Sequence, residues 1–207
     1  MTPRIRRSLW TATLVLWTFG VGAGLSTLWL YEHVPGPSAD APARWPQSSR
    51  LPPPDGRPVL ILALHPQCPC SRATVAELAR LVAHTAAPFD IEALVVASPG
   101  FDEALIHSTL WKEAAAIPGV HVVRDTGGEA HGFGARVSGQ VLAYDGAGRL
   151  QFNGGITGSR GHEGDNPGRA AVEAMLAGRR HPVSSYVFGC LLFDGDGNAA
   201  PVEQDAI

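Results

Sequence analysis

A pair of cysteines around one proline, at the point where an apolar run gives way to a helical pattern, constrains this chain more than any other feature. Val59 to Leu64 is continuously apolar, the residues that follow are His65-Pro66-Gln67-Cys68-Pro69-Cys70-Ser71-Arg72, and Ala73 to His84 carries apolar residues at Val75, Leu78, Leu81 and Val82. A strand feeding a helix leaves the first helical N–H groups unpaired and the positive end of the helix dipole at the turn, and both favour a thiolate over a thiol. Pro69 has no N–H and suits the first helical turn, so it also fixes how the two sulfurs approach. Thiol–disulfide exchange is the chemistry this arrangement suggests. Binding of a soft metal is its main rival.

The N-terminus sets the compartment. Arg4, Arg6 and Arg7 precede Ser8 to Tyr31, a stretch without Asp, Glu, Lys or Arg that carries Trp10, Trp17, Trp29 and Tyr31. About 20 apolar residues cross a bilayer, against about 7–15 in the core of a signal peptide. The expectation is a basic cytoplasmic start over 1–7 and a single membrane-spanning signal anchor over 8–31. The arginines stay in the cytoplasm, which places everything beyond Glu32 on the far side of the cytoplasmic membrane, in the periplasmic space of an inner membrane. A cleaved signal peptide is the alternative, although Gly22-Ala23-Gly24 offers no Ala-x-Ala site. In an exported chain, three cysteines allow one internal disulfide at a time and leave one thiol over, which fits exchange better than a staple. A net charge of −3 without a basic stripe gives no reason to expect nucleic acid.

Residues 32–57 hold Pro35, Pro37, Pro42, Pro46, Pro52, Pro53 and Pro54, and predict a semi-rigid extended tether. Beyond it, over 58–193, helical and strand periods alternate. Pro58 to Leu64 is a buried strand, followed by the helix from Ala73. Ile91 to Ala97 is a second strand, with Ser98-Pro99-Gly100 as breaker. A helix is expected over Asp102 to Ala116, then a strand over Val120 to Arg124. Gln140 to Asp145 and Arg149 to Asn153 form a hairpin around Asp145-Gly146-Ala147-Gly148. A last helix spans Asn166 to Ala177, with Asn166 as N-cap and Pro167 at its first position. Residues 194–207 are a tail in which Asp194-Gly195-Asp196-Gly197-Asn198 lacks the later acidic ligand of a calcium loop and is a turn. The order is β-α-β-α-β-β-β-α, an α/β protein with a central mixed sheet.

The strand–dithiol–helix unit and this element order, over roughly Pro58 to Gly178, resemble the thioredoxin-like superfamily, and within it the membrane-tethered extracytoplasmic branch that includes cytochrome-maturation thiol proteins and the RedB-like group. The resemblance implies a thioredoxin-like fold, thiol–disulfide oxidoreductase activity on protein thiols or disulfides outside the cytoplasm, no organic cofactor, and Cys68 as the attacking sulfur. Two features depart from the superfamily pattern. Cys68-Pro69-Cys70 has one residue fewer than Cys-x-x-Cys, and the position of the superfamily's cis-proline falls near Val137-Ser138-Gly139, where there is no proline.

Other residues remain open between two roles. His65, three residues before Cys68, either lowers a thiolate pKa and donates a proton, or caps the strand. Arg72 either favours a thiolate or is a solvated surface charge. Cys190 lies in the apolar stretch Tyr186-Val187-Phe188-Gly189-Cys190-Leu191-Leu192, and the chain from Gly178 can extend about 40 Å, far enough to return to the dithiol. It is a resolving partner or a buried inert thiol. The Gly-rich segment 153–166, with Ser159, Arg160, His162, Glu163 and Asp165, is expected to border the dithiol, because the fifth strand of this topology returns to the active edge. Otherwise it is a mobile surface loop. His107, His121 and His131 show no ligand spacing. The alternative to exchange is Cu(I) binding or delivery through Cys68 and Cys70. Peroxide reduction at Cys68 is disfavoured, because no Thr lies shortly before the cysteines.

Overall fold

The computed structural model describes residues 3–37, 40–97, 108–194 and 196–200. It consists of two compact units, divided between Val34 and Pro35.

The first unit is helix α1, Pro3–His33. From Arg6 to His33 it is long and apolar enough to cross a membrane, and none of it is buried within the protein. The hydroxyls of Thr11, Thr18 and Thr27 donate to the carbonyls four residues earlier, which satisfies polar groups that lipid could not.

The second unit is built on a five-stranded sheet. Its elements are β1 Val59–Leu64, α2 Pro69–His84, β2 Asp90–Val96, α3 Thr109–Ala115, β3 Val120–Asp125, α4 Gly128–Gly132, β4 Gln140–Tyr144, β5 Leu150–Gly155 and α5 Pro167–Leu176. The sheet order is β3-β2-β1-β4-β5. β1 pairs in parallel with β2 and β2 with β3, while β4 runs antiparallel to both β1 and β5. The period of two in β1 divides its side chains between two cores. Leu60, Leu62 and Leu64 join Val75, Leu78, Leu81, Phe152 and Val172 beneath the helices, and Val59, Ile61 and Ala63 join Phe133, Leu142, Tyr144 and Leu192 on the opposite face. Burial on both faces explains the uninterrupted apolar run.

The elements follow the sequence expectations with four differences. α2 begins at Pro69 rather than Ala73, because the ring's fixed φ already suits the first helical position. Asp102, Glu103 and the breaker at 98–100 lie outside the described residues, and α3 has its own N-cap, with the Ser108 side chain accepting from the Trp111 N–H. α4 was not anticipated. Five residues are too few to show a period, and this turn is organised by the Asp125 carboxylate, which accepts from the N–H groups of Gly127, Glu129 and Ala130.

The fourth difference is the tether. The segment expected to be a linker over 32–57 lies on the domain at its described residues from Pro35 onward. The Trp45 ring meets Phe133 and Tyr144 edge-on, with centroids 4.9 and 5.3 Å apart, and Leu51 is buried. Backbone bonds join Leu150 N–H to Ala43 O, Trp45 N–H to Gly148 O and Gly56 N–H to Gly146 O. Prolines exclude a helix and limit ladder pairing to short bridges such as Arg44 with Arg149, but they do not exclude packing, and Trp45 and Leu51 supply the apolar anchors. The far end is packed too: Leu192, Phe193 and Ala199 are buried, and Asp194 Oδ1 closes the expected turn by accepting from the N–H groups of Asp196 and Asn198. Trp45→Ala is expected to destabilise the domain by about 2–3 kcal/mol, since a half-buried ring and two edge contacts are lost. A free tether would give no change in chemical denaturation.

Candidate functional site: a cluster of three thiols

The turn between β1 and α2 is fixed by its own backbone. His65 N–H donates to Ser71 Oγ (2.8 Å), Cys68 N–H to the His65 carbonyl (3.2 Å), and Ser71 N–H to the Cys68 carbonyl (3.0 Å). Cys68 is thus the N-cap of α2, with no side-chain cap competing for the free N–H groups, and Cys70 lies in the first turn. Both are buried, at 2 % and 3 % exposure.

The third sulfur arrives from the far end of the sequence. Segment 189–192 is stitched to the approach to β4 by Ser138 N–H to Cys190 O (2.8 Å) and Leu192 N–H to Arg136 O (2.9 Å). Gly189 permits the contact, since a Cβ there would fall 1.9 Å from the Ser138 carbonyl oxygen. Cys190 is exposed, and its Sγ lies 3.1 Å from Cys68 Sγ.

Near Val137-Ser138-Gly139, where the resemblance implies a cis-proline, this chain has no proline, and the described residues hold no cis peptide. Gly139 has φ +86°, its N–H donates to the Ala63 carbonyl (2.7 Å), and a Cβ would meet Thr74 Oγ1 at 2.7 Å. Ser138 is fully buried beside Cys68, and its Oγ makes no hydrogen bond of ordinary geometry among the described residues.

These neighbours divide the charge unequally. The Cys68 thiol is held far below the ordinary range, first by its hydrogen bond with Cys190, then by that with Cys70, against the cost of burial and with help from Ser138. Cys70 is pushed up by its hydrogen bond to Cys68, by burial and by the Cys68 charge, opposed by a backbone hydrogen bond from Gly161. Cys190 is pushed up by the same hydrogen bond to Cys68, by burial and by the Cys68 charge, opposed by the Arg160 guanidinium. These opposed directions favour a single thiolate within the cluster, on Cys68.

The Gly-rich loop borders the dithiol, as expected from the strand order, and it is anchored. Arg160 Nη1 donates to the Gly189 carbonyl (2.6 Å), so the loop also grips the Cys190 segment. Its other end is pinned by Glu77, a fully buried carboxylate on α2. Glu77 accepts from Gly164 N–H (2.7 Å), pairs with Arg169 Nε (2.8 Å) and is bridged by Arg80, which also reaches Glu163 (2.9 Å). Asn166 caps α5 as predicted, accepting from Arg169 N–H (2.8 Å). Arg169 further pairs with exposed Asp165.

The remaining candidates are placed elsewhere. His65 is buried and holds the turn through its backbone, while the largest influences on Cys68 come from sulfurs, burial and Ser138. Arg72 is exposed, on the wall of a groove of about 610 Å³ that also includes Pro69, Ala76, Glu113 and Gly161. His121 pairs with Glu92 (2.8 Å), His131 stacks on Phe193 (4.0 Å), and His107 lies outside the described residues. No group of three or more His, Cys, Asp or Glu among the described residues is arranged to hold a metal ion. Sequence reasoning missed Ser138 and Glu77. Glu77 follows Cys70 and Thr74 on one buried face of α2, and that spacing was its signal.

No family model matches this chain, and no curated protein does. Solved structures do match. A hypothetical protein from Sinorhizobium meliloti 1021 is 20 % identical, with 74 % of this chain and 95 % of that one covered and a TM-score of 0.56. An uncharacterized conserved protein from Geobacillus kaustophilus is 18 % identical, with 77 % and 90 % covered and a TM-score of 0.54. A thioredoxin-like superfamily protein is 20 % identical, with 70 % and 100 % covered, at a TM-score of 0.42, too low to carry an argument. At these identities the likeness concerns fold alone. The strand order, the mixed pairing and the dithiol at the β1–α2 junction make that fold thioredoxin-like.

Proposed function

We propose that this protein is a membrane-tethered, extracytoplasmic thiol–disulfide oxidoreductase of the RedB-like kind, acting on protein thiols or disulfides through Cys68, Cys70 and Cys190. The observation that carries the proposal is the 3.1 Å contact between Cys68 Sγ and Cys190 Sγ, with Cys70 close by in the first turn of α2. A disulfide bond is about 2.05 Å long, so joining Cys68 to Cys190 requires a movement of only about 1 Å. A stabilised thiolate beside a second thiol is what exchange requires, as nucleophile in one direction and leaving group in the other. Helix α1, with Arg4, Arg6 and Arg7 before its apolar span, holds the domain at the membrane on the side away from the cytoplasm.

Two measurements test this. The reduced full-length protein in detergent should be oxidised by glutathione disulfide to an internal disulfide, and Cys68→Ser should abolish that bridge. A reporter active only in the cytoplasm, fused after Ile207, should be silent. Thiols that ignore excess glutathione disulfide while binding Cu(I) stoichiometrically and tightly would replace the proposal with a metal carrier holding its ion on Cys68 and Cys70.

A further inference from the structure

We infer that Cys190, rather than either thiol of the Cys-Pro-Cys motif, is the cysteine through which partners exchange, with Cys68 as its internal partner and Cys70 as a positioning residue. The inference rests on the oxidoreductase proposal above and assigns the roles within it.

Exchange needs the incoming sulfur to approach along the axis of the bond being broken. Cys68 is 2 % exposed and Cys70 3 %, enclosed by the Gly161 backbone, Ser138 and the 189–192 segment. Cys190 is the exposed member of the three, and it touches Cys68. An incoming thiolate therefore meets Cys190 first. The leaving group in that attack is Cys68, the sulfur best able to depart as a thiolate, at the N-terminus of α2 and beside the Ser138 hydroxyl.

The steps balance in both directions. Starting from the Cys68–Cys190 disulfide, a partner thiolate attacks Cys190 Sγ. A partner–Cys190 bond forms, the Cys68–Cys190 bond breaks, and its electron pair stays on Cys68. The partner's second thiolate then attacks the partner sulfur of the mixed disulfide, and Cys190 leaves and takes a proton from solvent. The partner dithiol is oxidised to a disulfide, and the protein disulfide is reduced to the Cys68 thiolate and the Cys190 thiol. Read backward, the same steps reduce a partner disulfide, with Cys68 attacking Cys190 to release the mixed disulfide. Cys70 forms no covalent bond in either direction and serves as hydrogen-bond donor to the Cys68 thiolate. Arg160 holds Cys190 in register through the Gly189 carbonyl.

The test uses full-length protein in detergent, glutathione disulfide as probe, and residue-resolved mass mapping of Cys68→Ser, Cys70→Ser and Cys190→Ser. Cys68→Ser should accumulate glutathione stoichiometrically on Cys190. Cys190→Ser should lose reaction to the level of an unreactive buried thiol. Cys70→Ser should retain the Cys68–Cys190 bridge, and Cys70→Ala should move the onset of reaction to higher pH, a shift that a purely structural role would not produce. Melting of Cys190→Ser, measured beside the parent, separates loss of exchange from loss of the fold. Glutathione trapped on Cys68 in Cys70→Ser, or exchange at the parent rate in Cys190→Ser, would overturn the assignment while leaving the oxidoreductase proposal standing. A parent protein that neither takes up glutathione nor forms an internal disulfide would overturn both.

Discussion

Glu77→Ala is expected to destabilise the domain by about 3 kcal/mol and to slow exchange as well, although the partners of Glu77 are Gly164, Asn166, Arg169 and Arg80 rather than a sulfur. The carboxylate is fully buried and serves Gly164 N–H, Arg169 and Arg80 together. Removing one member of a buried pair typically costs about 3–5 kcal/mol, because the partner's charge and donors stay behind. The lower end applies for two reasons. Arg169 keeps Glu173 and Asp165, and Arg80, whose side chain is 41 % exposed, contributes little through solvent. Loss of the anchor frees the loop that carries Gly161 to Cys70 and Arg160 to Gly189, hence the effect on exchange. Glu77→Gln preserves the acceptor for Gly164 and should fall between the parent and the alanine variant. Chemical denaturation of the reduced protein measures both, and a change below about 0.5 kcal/mol in Glu77→Ala, the range of ordinary surface substitutions, would mean that the network does not hold the loop.

The sheet and the dithiol were legible in the sequence because their signals are local. A both-faces-buried strand is a run of apolar residues, α5 announces itself through Asn166 and Pro167, and Cys68-Pro69-Cys70 marks its own junction. What the sequence left open depends on contacts between distant segments. Cys190 was a candidate by reach alone, and its place beside Cys68 depends on backbone bonds to Ser138 and Arg136 and on the missing side chain of Gly189, none of which has a local pattern. Proline content speaks for a tether over 32–57, yet Trp45 packs on Phe133 and Tyr144 and Leu51 joins the same buried cluster, and these receptors are too distant in sequence to leave a local pattern. Ser138 was hidden for a related reason: at the place where a proline was sought, its hydroxyl matters only once Cys68 is brought against it.

The fold lowers the Cys68 pKa and raises those of Cys70 and Cys190. The Cys68 contribution to the stability of the reduced domain is therefore complete above the unfolded thiol value of about 8.5 and lost as pH falls through its folded value. The contributions of Cys70 and Cys190 are complete below about 8.5 and lost as pH rises through theirs. Stability linked to the thiols should peak near that ordinary value.

The most direct measurement is the titration of thiolate ultraviolet absorbance in the reduced full-length protein, compared with Cys68→Ser. One thiolate per chain should persist well into the acid range, and the other two should appear only far above the ordinary thiol pKa of about 8.5. In Cys68→Ser the acidic thiolate should vanish, and Cys70 and Cys190 should titrate closer to that ordinary value, since the sulfur that holds their protons has gone. Three thiolates rising together near the ordinary value, or an acidic thiolate that survives in Cys68→Ser, would contradict a single thiolate on Cys68.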